Sequence, residues 1–90
     1  MKLWLLEQME NNEYDTYNAC VVVAETETEA KMIHPESERG YQSSEELWAD
    51  DDKLFSTWAT KTGNVIATLI GEADASLVKG DVVCSSFNAG

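Results

Sequence analysis

"YNACVVVAETETEAKMIHP", residues 17–35, joins an apolar β-branched run directly to a helix start, and its reading decides the fold. From Tyr17 to Glu25 the pattern is that of a central strand. Cys20, Val22 and Ala24 fall on one face and Ala19, Val21 and Val23 on the other, and both faces are apolar. Thr26 stands three residues before Glu29, the spacing of a capping box, in which the hydroxyl accepts from the backbone of the first turn. Glu27 and Glu29 suit the positive end of that helix, and Lys31 and His34 the negative end, where His34 caps. Pro35 ends it. A helix of about two turns is too short to stand alone, so Ala30 and Ile33, with Met32, must pack it against the sheet.

Outward from this stretch the same logic extends. "KLWLLE", residues 2–7, reads as a strand with Leu3 and Leu5 on one face and Trp4 and Leu6 on the other. Asn11-Asn12 supplies the turn towards the central strand. After the polar loop "PESERGYQSS", Ser43 and Glu46 repeat the capping-box spacing and predict a helical turn over residues 44–49. "NVIATLIGEA", residues 64–73, is a strand entered through Gly63-Asn64, and a last strand over residues 81–87 follows the Lys79-Gly80 turn. The expected fold is one α+β domain over residues 1–90. Its sheet is four- or five-stranded and mostly antiparallel, with one short helix and a Trp-rich, irregular or partly helical segment packed on it. One short helix cannot cover strands that are apolar on both faces. Residues 41–60, a second copy of the chain or a partner must then cover the other face.

Charge sets the class of partner. Seventeen Asp and Glu against six Lys and Arg give a net charge of −11, which repels nucleic acid and anionic membranes and favours a basic protein. The longest apolar run, residues 19–24, is too short to span a bilayer. The first residues lack the apolar core of a secretory signal, so a cytoplasmic location is expected. Cys20 and Cys84 read as two buried thiols rather than a disulfide. With a single His and no Cys-x-x-Cys pair, no zinc set is expected.

"EELWADDDKLFSTW", residues 45–58, concentrates the acids beside two Trp and a Phe. A calcium loop is excluded: counted from Asp50, the sixth position is Phe55 rather than Gly and the twelfth is Lys61 rather than Glu. On a continuous helix Leu47, Trp48, Leu54, Phe55 and Trp58 would share a side with Asp51 at its centre, and burying that carboxylate is costly. The helix therefore breaks at Asp50–Asp52, and the aromatics anchor an exposed acidic bulge. Glu45, Glu46, Asp50, Asp51 and Asp52, extended by Glu36 and Glu38, form a candidate surface that imitates spaced phosphates and enters a Lys/Arg-rich groove. Tyr14, Asp15 and Tyr17 form a second candidate contact surface, with tyrosines as low-entropy anchors.

Catalysis is not expected. His34 has no oriented nucleophile beside it, Ser85, Ser86 and Cys84 lie in a strand, and the five glycines are too scattered for a phosphate loop. No cofactor is expected either.

The chain resembles a family of small uncharacterised proteins encoded by tailed bacteriophages. The resemblance rests on "MKLWLLEQ", "NNEYDTYNACVVVAETETEA", His34-Pro35, and the late "LIGEA" with "SSFNAG". It spans most of the chain but not residues 36–58. It implies action in the cytoplasm of an infected bacterium and carries over no catalytic residue. Joined to the charge, it implies stoichiometric inhibition of a host nucleic-acid-handling or defence protein, such as a nuclease or CRISPR complex. The alternative is a self-associating accessory or structural protein, a homodimer through the second sheet face.

Overall fold

A computed structural model describes residues 1–10, 16–39, 43–49 and 57–88. The expected α+β arrangement is present, with a sheet of four antiparallel strands. In chain order the strands are β1 (Lys2–Gln8), β2 (Thr16–Ala24), β3 (Val65–Glu72) and β4 (Val82–Asn88), and in space the order is β3-β1-β2-β4. Helices α1 (Glu27–Lys31) and α2 (Ser44–Ala49) and two 3-10 turns, Pro35–Arg39 and Thr62–Asn64, fill the connections. The Asn11-Asn12 turn and the break at Asp50–Asp52 lie outside the described residues.

β1 and β2 are the interior strands. Leu6 sits opposite Cys20 on one side and Ala67 on the other, and Trp4 opposite Val22 and Leu69. Alternation then places Trp4, Leu6, Cys20, Val22, Ala24 and Val65 on one face, all buried. Ala30 of α1 and Ile33 just beyond it close over them, together with Trp58 and Ala59. Trp4 is fixed by its polar end as well as its ring: its indole N–H donates to the Ala24 carbonyl at 3.1 Å. Where the β1–β2 ladder ends, the buried Gln8 amide donates to the Tyr17 carbonyl at 3.0 Å and continues the bonding by side chain.

Both capping boxes form, with one difference from the usual pattern. The Glu29 backbone N–H donates to Thr26 Oγ1 and the Glu46 N–H to Ser43 Oγ, each at 3.2 Å. The glutamates then accept from the capping hydroxyls, each at 3.3 Å, rather than from backbone N–H groups. Helix α1 is shorter than the expected two turns and ends at a Met32 cap.

His34 therefore lies beyond α1 and does not cap it. It is buried, and its Nδ1 accepts the Glu36 backbone N–H at 3.1 Å. That makes it a cap for the start of the following 3-10 turn, a position where Pro35 has no N–H to offer. Its own backbone N–H donates to Ser44 Oγ at 2.8 Å, tying α2 to this corner, and Trp48 meets its ring edge-on at 5.4 Å.

One expectation about the faces of the sheet is corrected. The tryptophans of the connecting segment do not cover the second face: Trp58 belongs to the core under α1, and Trp48 packs against that same core. On the opposite face Val23 is buried, Leu3, Leu5, Ala19 and Val21 are half-buried, and Ile66, Thr68 and Cys84 are exposed. Cys84 is thus not a buried thiol, while Cys20 is, and no disulfide joins them. A local irregularity decides the face of Tyr17. The β2–β4 register shifts between Tyr17 and Ala19, leaving the exposed Asn18 as a bulge. The extra residue turns Tyr17 into the core, although simple alternation assigns it to the same face as Ala19.

Replacing Trp4 with Phe keeps the buried ring but leaves the Ala24 carbonyl without its donor. We expect a loss of about 1–3 kcal/mol in urea unfolding, against a smaller change for Leu3→Ala on the half-exposed face. Equal losses would show that the indole bond is energetically silent.

Candidate functional site

Among the described acids, Glu25, Glu27, Glu29, Glu45 and Glu46 lie at or just before the starts of the two helices, where the helix ends favour negative charge. Glu27 and Glu29 occupy the first turn of α1, and Glu45 and Glu46 the first turn of α2. Glu25, Glu27, Glu45 and Glu46 are exposed. Between the helices and the Lys79-Gly80 turn lies an open cleft of about 360 Å³. Met32 and Ile33 supply its apolar wall, and Glu29, Glu45, Ser44 and Lys79 its polar rim.

Backbone chemistry builds the side of the cleft formed by the turn. Gly80 takes φ +96°, a left-handed conformation that glycine adopts without strain. Its N–H donates to the Val23 carbonyl at 2.9 Å, while the Val23 N–H donates to the Asp81 carbonyl at 3.0 Å. The Asp81 carboxylate accepts the Val78 N–H at 2.9 Å, which closes the turn on itself. Lys79 is thereby held beside α1, where Nζ lies 3.0 Å from Glu29 Oε2. The bond from Lys79 holds the Glu29 carboxyl below its ordinary value, outweighing the opposing desolvation, and Glu29 in turn raises the Lys79 ammonium. Lys31 pairs with Glu27 at 3.4 Å one turn away. On the other helix Glu45 reaches the rim of the same cleft, and both Glu45 and Glu46 are exposed.

The sequence-derived candidates divide unevenly. Glu45 and Glu46 are exposed on α2, as expected of a contact surface. Asp50, Asp51 and Asp52, and Tyr14 and Asp15, lie outside the described residues. Tyr17 is 2% exposed and stacks at a tilt on Phe87 with ring centroids 4.8 Å apart, so it is a packing residue in this chain. Glu36, expected to extend the acidic surface, instead accepts the Thr57 hydroxyl at 2.6 Å and is half-buried. The cleft between α1 and α2 escaped the sequence reading. Its only written signal was the pair of capping boxes, each of which puts acids on a first helical turn.

A different acid, Glu10, does structural work. Its carboxylate accepts from the Thr60 N–H at 2.7 Å, from the Thr60 hydroxyl at 2.6 Å and from the Asn64 amide at 2.6 Å. These bonds pin the segment that enters β3 to the end of β1. Desolvation pushes the Glu10 carboxyl upward, but the bonds from Thr60 and Asn64, with Lys61 nearby, outweigh it and hold the group below its ordinary value of 4.5.

Among the described residues no group of three or more His, Cys, Asp or Glu is placed to hold a metal ion, and no helix is long and apolar enough to cross a membrane. No protein-family model matches the chain, and neither a curated protein nor a solved structure matches it.

Glu10 gives a pH test with a definite sign. A carboxyl held low in the folded state stabilises the fold above its unfolded value, and that contribution disappears as pH falls through the folded value. Glu10→Gln should therefore cost about 1 kcal/mol near neutral pH, the modest end for a solvent-exposed charged acceptor. The gap from the parent chain in urea midpoints should narrow steadily once pH drops below about 4.5. A gap that does not change with pH would remove the carboxylate bonds as its cause.

Proposed function

We propose that the protein is a non-catalytic, acidic binding protein that occupies a basic surface on a nucleic-acid-handling or defence protein of its host, and so inhibits or modulates it. The observation that carries this reading is the set of exposed carboxylates at the two helix starts, Glu25 and Glu27 by α1 and Glu45 and Glu46 on α2, on a chain of net charge −11. Spaced carboxylates on a rigid scaffold present a basic groove with the pattern of charge it meets on a phosphate backbone. The acids of residues 50–52 follow directly on α2 in the sequence and add three carboxylates to the chain's charge.

The phage-like features of the sequence supply the setting: a host bacterium, and a stoichiometric rather than catalytic mode of action. In this reading the partner is a basic protein, a nuclease or a CRISPR complex being the type that fits, and the chain binds neither nucleic acid nor membrane itself.

The test is capture of the partner by the tagged chain from host lysate, followed by titration of the purified pair. The complex should weaken steeply with salt and should be displaced by DNA. Reversal of Glu45 and Glu46, together with Asp50–Asp52, to Lys should weaken it at least ~10-fold, the effect of about 1.4 kcal/mol. A complex that persists unchanged through both high salt and charge reversal would overturn the acidic-surface reading.

A further inference from the structure

β3 is an edge strand, bonded to β1 along one side only. Natural edges are guarded against pairing by charge, proline, brevity or bulges. From Val65 to Gly71, β3 carries neither a charge nor a proline. Three of its large apolar side chains stand in solvent, with Ile66 58%, Leu69 52% and Ile70 50% exposed. Among the described residues the irregularity along it is the register shift opposite Leu3 and Trp4, which makes Ile70 a bulge. That leaves Val65–Leu69 as a regular, open edge.

We propose that β3 is a self-association edge, along which a second copy of this chain adds its own β3 antiparallel about a two-fold axis at Ala67. The occupant follows from charge and register. Two chains of −11 each repel over most of their surfaces, and the uncharged run Val65–Gly71 lets them approach without opposing carboxylates. A two-fold at Ala67 uses the regular edge and stops short of the bulge. On the core side it sets Val65 against Leu69 of the second copy and Ala67 against its own mate. On the open side it sets Ile66 against Thr68, all apolar or β-branched pairs suited to facing strands. The product is a continuous eight-stranded sheet with an isologous interface.

This inference is independent of the acidic-surface reading and responds oppositely to salt. Screening weakens attraction between the acids and a basic partner, but it relieves repulsion between two acidic copies. Sedimentation equilibrium on the full chain should show a monomer–dimer equilibrium that tightens as salt rises. Ile66→Lys and Leu69→Lys change exposed positions and should each weaken it at least ~10-fold, with circular dichroism unchanged. In a Cys84→Ser background, Ala67→Cys should give a disulfide-linked dimer under mild oxidation, whereas Ser86→Cys on β4 should not. A monomer at every concentration in high salt overturns the proposal. So does a dimer indifferent to both lysines, or one that crosslinks through position 86 and not 67.

Discussion

The antiparallel pairing of β1 with β2 is the constraint on which the remaining architecture hangs. It runs from Lys2 opposite Ala24 to Glu7 opposite Ala19, and each strand then offers its outer edge to a later one. Trp4 locks the open end through Ala24, and Gln8 extends the far end through Tyr17. With the pair in place, the positions of β3 and β4 are settled by the two remaining edges. α1 has one apolar face to cover, because it leaves β2 after only two residues, Glu25 and Thr26.

Charge and apolar surface are sorted onto different parts of this frame. Acids occupy helix starts and turns, where backbone N–H groups favour them: Glu29 and Glu46 in the capping boxes, Asp74 accepting the Ser76 N–H and Asp81 accepting that of Val78. β3 and β4 carry almost no charge between Val65 and Asn88 except around the turn that joins them. Many individual carboxylates therefore have a local structural reason to be where they are. What they present collectively, an anionic end and a neutral edge, is a property of their arrangement rather than of any single residue.

The elements whose signals are local were legible in the sequence. Thr26 and Ser43 with their glutamates marked both helix starts and β-branched runs marked the strands, whereas Pro35, expected to end α1, instead opens the 3-10 turn that follows it. What escaped depended on contacts distant in the chain. Asn18 carries no sign of a bulge, since the extra residue is defined only against β4. His34 could be read as the end of one helix because its spacing fits; that its ring serves the next turn depends on α1 stopping at Lys31. The connecting tryptophans offered large apolar area without direction, and the site of Trp58 under α1 is set by Tyr17, whose N–H donates to the Thr57 carbonyl at 2.7 Å. Of the candidate site, Glu45 and Glu46 could be read from their capping position. The cleft between α1 and α2 could not, because Lys79 reaches Glu29 only after the Val78–Asp81 turn has closed.

The spatial strand order also dictates a folding schedule. β1 and β2 are neighbours in sequence and can pair early, but β1 must then wait for β3, with Leu6 meeting Ala67 only after two helices and two 3-10 turns have been laid down. Until it does, the growing hairpin exposes two unpaired edges and an apolar face, the condition in which partly folded chains aggregate. Seventeen acids spread along the chain give every such intermediate a strong mutual repulsion. The same charge that marks the finished surface thus acts earlier, as a kinetic safeguard for a chain whose second strand pair closes late.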